Sequence, residues 1–279
     1  MRLVSFQRNG KPSYGVLTDD GIADVGGVLA GNFPDLKSAL LNLDEVQGAQ
    51  DQAEQLSLDD VTLEPPIPNS GRILCVGLNY RSHIAETGRD IPEYPLIFAR
   101  YPDSLVGHNV PLVAPKLSKT FDFEGELAVV IGKEGRHIAP EDALDHVVGY
   151  SCFNDGSVRA FQRHSTQWLP GKSFWRSGSF GPYLLTADEV PDPGELHLQT
   201  RLNGKVMQDT GVDDLLFGVE DLIAYLSGVF PLQAGDVIAT GTTGGVGAFR
   251  DPQIWMKAGD VVEVEISKLG TLSNSIVDE

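Results

Sequence analysis

The chain opens with short apolar runs broken by Asn-Gly, Asp-Asp-Gly and Pro turns, "MRLVSFQRNGKPSYGVLTDDGIADV", a pattern that predicts two or three hairpin-linked strands. "FPDLKSALLNL" and "DEVQGAQDQAEQL" predict short helices. The Pro-rich "LEPPIPNSGR" reads as a joint, which divides the chain into a small N-terminal α+β domain over residues 1–68 and a larger domain over 69–279. Beyond the joint, "RILCVGL", "FEGELAVVIG", "VGYSCFND", "DVIATG" and "DVVEVEIS" predict strands. "NYRSHIAETG" predicts a short helix closed by Gly88, "APEDALDHV" a helix with Pro140 in its first turn, and "SVRAFQRHST" a helical turn or two. "DDLLFGVEDLIAYLSGVF" is the clearest helix, with Leu216, Val219, Ile223 and Leu226 on one face. Strands outnumber helices and do not alternate with them, so the fold class is α+β, mostly β, rather than a doubly wound sheet.

Composition narrows the function. The 279 residues carry a net charge of −18, which makes nucleic acid a poor partner and repels acidic ligands. An anionic substrate would need local positive charge from a bound cation or from Arg and Lys. Cys75 and Cys152 each lie in an apolar run and read as small buried hydrophobes, with no zinc-type C-x₂-C spacing. The N-terminus lacks the apolar core of a signal peptide and no later run is long enough to span a bilayer, so the expectation is a cytoplasmic protein with no membrane partner.

In "FDFEGELAVVIG", Glu124 and Glu126 stand two apart and so project from one face of a strand, roughly 7 Å from each other. Like charges held together near low dielectric are costly, so either water screens them or a cation sits between them. "VVEVEIS" also spaces two acids, Glu263 and Glu265, but there apolar residues alternate throughout, as in a half-buried strand with an acidic outer face. After Glu126 the run Leu127–Ala128–Val129–Val130–Ile131 is apolar on both faces, which puts the acids at the rim of the interior. Asp155, in "CFNDGS", ends a strand at a Gly turn and is the leading third ligand for a hard divalent ion; a plain turn residue is the alternative.

His83 and Glu86 stand three apart on a predicted helix, an arrangement that can make a general base; a surface pair is the alternative. No pair of histidines has metal-ligand spacing. Arg159 and Gln162 share a helical turn and could grip a carboxylate, and Lys172 sits in an apolar, Gly-rich stretch. "TGTTGGVG" follows a strand; its amides and Thr242 could receive an anion, although the P-loop pattern is absent.

Taken in order from about residue 72 to 279, "GLNYRSHIAE", "DFEGELAVVIG", "GYSCFNDGSVRAFQ", "GKSFWRSGSFGPYL", "LNGKVMQD", "GDVIATGTTGGVG" and "GDVVEVEISKLGTLSN" resemble the fumarylacetoacetate hydrolase family, in its branch of acylpyruvate hydrolases and related decarboxylases and isomerases. The resemblance implies a mixed β-roll or sandwich that assembles as a homodimer or a dimer of dimers. It implies Glu124, Glu126 and Asp155 as ligands of Mg²⁺ or Mn²⁺, His83 and Glu86 as a water-activating dyad, and Lys172 as the residue that steadies a developing oxyanion. Arg159, Gln162 and Thr242 match positions around the substrate's carboxylate end. The expected reaction is hydrolysis of a C–C bond in a small keto acid, an acylpyruvate, to pyruvate and a carboxylic acid. Decarboxylation of oxaloacetate and isomerisation of 2-hydroxyhepta-2,4-diene-1,7-dioate are the alternatives at the same metal, and a non-catalytic module that binds cations or sugar acids is a remote one. Arg100, where many members have Lys, Ala160, Thr243 and the "WRSGS" run depart from the family pattern.

Overall fold

The computed structural model describes all residues, 1–279. A 12-stranded sheet runs from one edge through Glu54–Leu56, Gly21–Asp24, Lys11–Thr18 and Arg2–Arg8, then Gly178–Thr186, Val147–Asn154, Gly125–Ile131, Val237–Thr242, Ile73–Gly77 and Leu96–Arg100, with two short strands off this path, Thr62–Leu63 beside Arg2–Arg8 and Leu105–Val106 beside Gly178–Thr186. A second, five-stranded sheet contains Lys205–Gly211, His197–Leu202, Val261–Ile266, Gly270–Asp278 and Leu112–Ala114. Gly125–Ile131 is buried along its whole length, as its unbroken apolar run requires. Leu127, Val129 and Ile131 point into one core with Leu198, Val264 and Leu272 of the second sheet, and Ala128 and Val130 into another with Leu3, Tyr14 and Phe153. Val261–Ile266 buries Val262, Val264 and Ile266 while Glu265 is exposed, the alternation its sequence predicts.

The N-terminal strands are not a detached sheet. Arg2–Arg8 pairs antiparallel with Gly178–Thr186, with Leu3 opposite Leu184, so the N-terminal residues share both sheet and core with the rest. Three helical expectations are corrected. The long helix is Val219–Val229, and Leu216 lies before it, because the Asp221 carboxylate accepts the Gly218 N–H at 3.1 Å and starts the helix there. Pro140–His146 winds as a 3₁₀ rather than an α-helix, and the tail of "DEVQGAQDQAEQL" leaves its helix to become the edge strand Glu54–Leu56. Arg81–Thr87 is the expected helix, closed by Gly88 at φ +64° in the left-handed conformation that glycine adopts freely.

Candidate active site

Strand register brings the three acids together. Gly125 lies opposite Asn154 in the antiparallel ladder, so the next positions outward, Glu124 and Asp155, face each other. The Asp155 amide donates to the Glu124 carbonyl at 2.9 Å, and the Asn154 side-chain oxygen accepts from the Glu124 amide at 3.1 Å, which ties the two strand ends. Glu126 follows on the same side, opposite Thr242 of the neighbouring strand. One oxygen from each of Glu124, Glu126 and Asp155 lies within 4.8 Å of the others, and all three residues are buried. Gly241, at φ +107°, turns its N–H onto Glu126 Oε2 at 3.0 Å; a Cβ there would meet the Val76 carbonyl at 2.9 Å.

Buried cations surround the acids. Lys172 Nζ donates to Glu124 Oε2 at 2.5 Å and to Asp155 Oδ2 at 2.6 Å. Arg159 Nη1 lies 2.6 Å from Glu124 Oε1, and its Nε donates to Asp122 Oδ2 at 2.8 Å. Arg100 Nη1 pairs with Asp155 Oδ1 at 2.5 Å and also donates to the Gly156 carbonyl. Four buried carboxylates, Asp122, Glu124, Glu126 and Asp155, thus meet three buried cations, leaving one negative charge in surplus. Glu126 carries that surplus when it is ionised, since its carboxylate accepts one backbone N–H and no side-chain cation. Burial raises its pKa well above the usual range, and repulsion from Asp155 and Glu124 pushes the same way. Burial would raise Glu124 too, but Arg159 and then Lys172 hold it down at about 2. Lys172 stays a firm cation because Asp155 and Glu124 outweigh its burial.

A hard divalent ion fits this arrangement. Three buried carboxylate oxygens within reach of one another are the donors such an ion takes. Its charge would convert the surplus negative charge of the cluster into a net positive one, ready for an anion.

His83 and Glu86 face each other across one helical turn, with Nδ1 3.2 Å from Glu86 Oε2. The same oxygen accepts the Gly245 N–H at 2.9 Å, so the glycine turn holds the carboxylate in place. Ser82 reinforces this by bonding Asp214 at 2.6 Å and Thr243 at 2.9 Å. His83 Nε2 makes no hydrogen bond within the protein, and the ring stands edge-on to Phe249 at 5.9 Å. A cleft of about 610 Å³ joins this dyad to the acids; His83, Glu124, Glu126, Lys172, Arg159 and Phe249 are among its lining residues.

Lys172, Arg159, Gln162 and Thr242 also line the cleft, each with partners of its own. Lys172 lines the cleft, but its ammonium is spent on Glu124 and Asp155. Arg159 and Gln162 line it together and are bonded to each other at 3.0 Å, while Arg159 Nη2 is buried without a partner. The Thr242 hydroxyl donates to the Gly125 carbonyl at 2.9 Å and accepts from Gln208 at 2.8 Å. Two amides of "TGTTGGVG" are already engaged within the protein: Gly245 serves Glu86, and Gly247 serves Asp122. Asp122 was not singled out from the sequence. It accepts from Gly247 at 2.8 Å, from Ala248 at 3.0 Å and from Arg159, joining the glycine turn to the acids; its one signal is an acid set between two buried phenylalanines.

The family model for the fumarylacetoacetate (FAA) hydrolase C-terminal region matches residues 72–277, and one for an Rv2993c-like N-terminal region matches residues 1–66. The chain belongs to the fumarylacetoacetate hydrolase family, whose members are metal-dependent enzymes that include hydrolases, decarboxylases and isomerases. It is 39% identical to the mitochondrial oxaloacetate tautomerase fahd2 of Xenopus laevis, over 99% of this chain and 90% of that one. Among solved structures, a fumarylacetoacetate hydrolase from psychrophilic Exiguobacterium antarcticum superposes with a TM-score of 0.87 at 33% identity, covering all of both chains. Maleylpyruvate hydrolase from Sphingobium sp. SYK-6, in complex with manganese(II) ion and pyruvate, superposes with a TM-score of 0.82 at 29% identity, over 100% of this chain and 99% of that one. No helix of the protein is long and apolar enough to cross a membrane.

Proposed function

We propose that the protein is a divalent-metal-dependent enzyme that interconverts the enol and keto forms of a small 2-oxo dicarboxylate of the oxaloacetate type. The observation that carries this reading is the meeting, in one cleft, of Glu124 and Glu126, with Asp155 buried behind them, and an imidazole whose Nδ1 is engaged and whose Nε2 makes no hydrogen bond within the protein. The name borne by the Xenopus relative supports the choice of reaction.

Glu124, Glu126 and Asp155 would hold Mg²⁺ or Mn²⁺. When bound, the ion would draw electron density from the 2-oxo group and make the neighbouring C–H more acidic. Glu86, pinned by the Gly245 N–H, keeps the proton of His83 on Nδ1 and leaves Nε2 as the acceptor. In the enol-to-keto direction Nε2 takes the enol O–H proton and the imidazolium so formed returns it to C3, so composition does not change, His83 ends as it began and no water is consumed. Arg159, with Nη2 unpartnered, and Gln162 would receive the carboxylate next to the 2-oxo group. Lys172 fixes Glu124 and Asp155 in position and brings positive charge toward an oxyanion at the cleft floor.

A second reading, hydrolysis of an acylpyruvate, draws on the same dyad, which can deprotonate water as well as an enol. The cleft, at about 610 Å³, also leaves room for more than a four-carbon acid. One assay separates the two. Purified protein with Mn²⁺ or Mg²⁺ is given enol-oxaloacetate, followed by ultraviolet absorbance, and in parallel an acylpyruvate, followed by pyruvate release. Fast enol decay that stops on chelation supports tautomerisation. Pyruvate release from the acylpyruvate with no effect on the enol would replace it with hydrolysis.

A further inference from the structure

The solvent end of the same cleft carries two arginines with no bonded partner. Eight of the twelve arginines donate to a carboxylate or a backbone carbonyl. Of the other four, Arg176 stacks on Trp175 at 5.2 Å, Arg136 lies away from the cleft, and Arg89 and Arg163 both line it. In a chain with 39 acidic against 21 basic residues, an arginine has ample acids to pair with. Two left free on one cleft place unpaired positive charge at its opening in an otherwise acidic protein.

Placement sharpens the point. Arg159, Lys172, Glu124 and Glu126 are buried and form the floor, whereas Arg89 and Arg163 are exposed and so border the opening. Arg163 follows Arg159 by one helical turn, and its amide donates to the Arg159 carbonyl at 3.2 Å. Arg89 arrives from another element, directly after the helix that carries His83 and Glu86. Cations from two separate segments therefore converge on a cleft whose floor is already built for a 2-oxo acid.

We infer that Arg89 and Arg163 form a distal anion subsite that binds the second carboxylate of a 2-oxo dicarboxylate whose 2-oxo end lies at the triad. The inference rests on the proposed function above and extends it. The two planar donors match carboxylate geometry, which a neutral or aromatic tail does not offer. They select the dicarboxylate by binding and take no part in the proton transfer.

The test uses the manganese-loaded full chain. Arg89→Gln, Arg163→Gln and the double variant are compared with wild type, and Arg136→Gln serves as the control. Tautomerisation is measured on oxaloacetate and on phenylpyruvate, a monocarboxylate, with inhibition by oxalate as a probe of the floor alone. The double variant raises KM for oxaloacetate about tenfold or more, the loss expected from one charge-assisted hydrogen bond. Its kcat, its oxalate inhibition and its kcat/KM for phenylpyruvate stay near wild type, and Arg136→Gln changes nothing. Where phenylpyruvate is not turned over, oxaloacetate KM against oxalate inhibition makes the same comparison. An unchanged KM for oxaloacetate, or an equal loss on both substrates and on oxalate, overturns the subsite while the proposed function stands. Wild-type protein inert toward oxaloacetate overturns the proposed function first, and the subsite with it.

Discussion

Lys172→Met tests the charge arrangement of the floor directly. Methionine keeps the length and apolar stem of lysine but removes an ammonium that lies 2.5 Å from Glu124 and 2.6 Å from Asp155. Breaking a buried ion pair by removing one partner costs about 3–5 kcal/mol, because the remaining charge is left uncompensated. Unfolding entropy of roughly 2.1 cal/mol/K per residue makes a chain of this length lose about 1.7 °C in Tm per kcal/mol. The variant should therefore melt about 5–9 °C below wild type without divalent ion. The same change removes the ammonium that competes with a metal for these oxygens. A ligand at 100 times its Kd stabilises by about 2.7 kcal/mol, or about 5 °C here. Manganese should thus raise the Tm of the variant by more than it raises that of wild type, even though activity is lost. Differential scanning calorimetry with and without Mn²⁺ reads both effects. A variant that melts with wild type in the absence of metal, or that gains less from manganese, would refute the charge arrangement.

Three further predictions use the same site. Glu126→Gln removes the surplus negative charge while its amide oxygen can still accept the Gly241 N–H; metal-free Tm should hold or rise, and the Tm shift with manganese should shrink sharply. His83→Asn should lower tautomerisation about 10²–10⁴-fold, the usual worth of a general base, while keeping the full manganese-induced Tm shift; a variant that keeps its rate would remove His83 from the mechanism. Asp122→Asn replaces one acceptor oxygen with a donor facing Arg159 or the amides of Gly247 and Ala248. It should lower Tm by an amount comparable to Lys172→Met and raise KM for oxaloacetate through a loosened Arg159, and calorimetry with steady-state kinetics checks both.

The apolar run from Leu127 to Ile131 told of a strand buried on both faces, and the acids before it of a rim position, because side-chain period and burial are local properties. The contrast with Glu263 and Glu265 was legible for the same reason. Local pattern could not supply register. That Glu124 faces Asp155 follows from the pairing of Gly125 with Asn154, a long-range choice made by the whole sheet. Asp122 escaped, and the pairing of Arg100 with Asp155 did too, for a related reason: the partners, the Gly247–Ala248 amides for Asp122 and Asp155 for Arg100, come from distant segments. The Thr242 hydroxyl and the glycine-turn amides looked free in the sequence because nothing there shows Gln208 or Asp122 reaching them. The hairpin-linked strands of the N-terminal region were legible from their turns, but their pairing with Gly178–Thr186 spans most of the chain and has no local signal.

The measurement closest to the central claim is anomalous diffraction at the manganese edge from crystals grown with Mn²⁺. One peak is expected, in contact with carboxylate oxygens of Glu124, Glu126 and Asp155, with the Lys172 ammonium moved away from it. A manganese peak elsewhere in the cleft, or a map with none while Lys172 still bridges Glu124 and Asp155, would contradict the account.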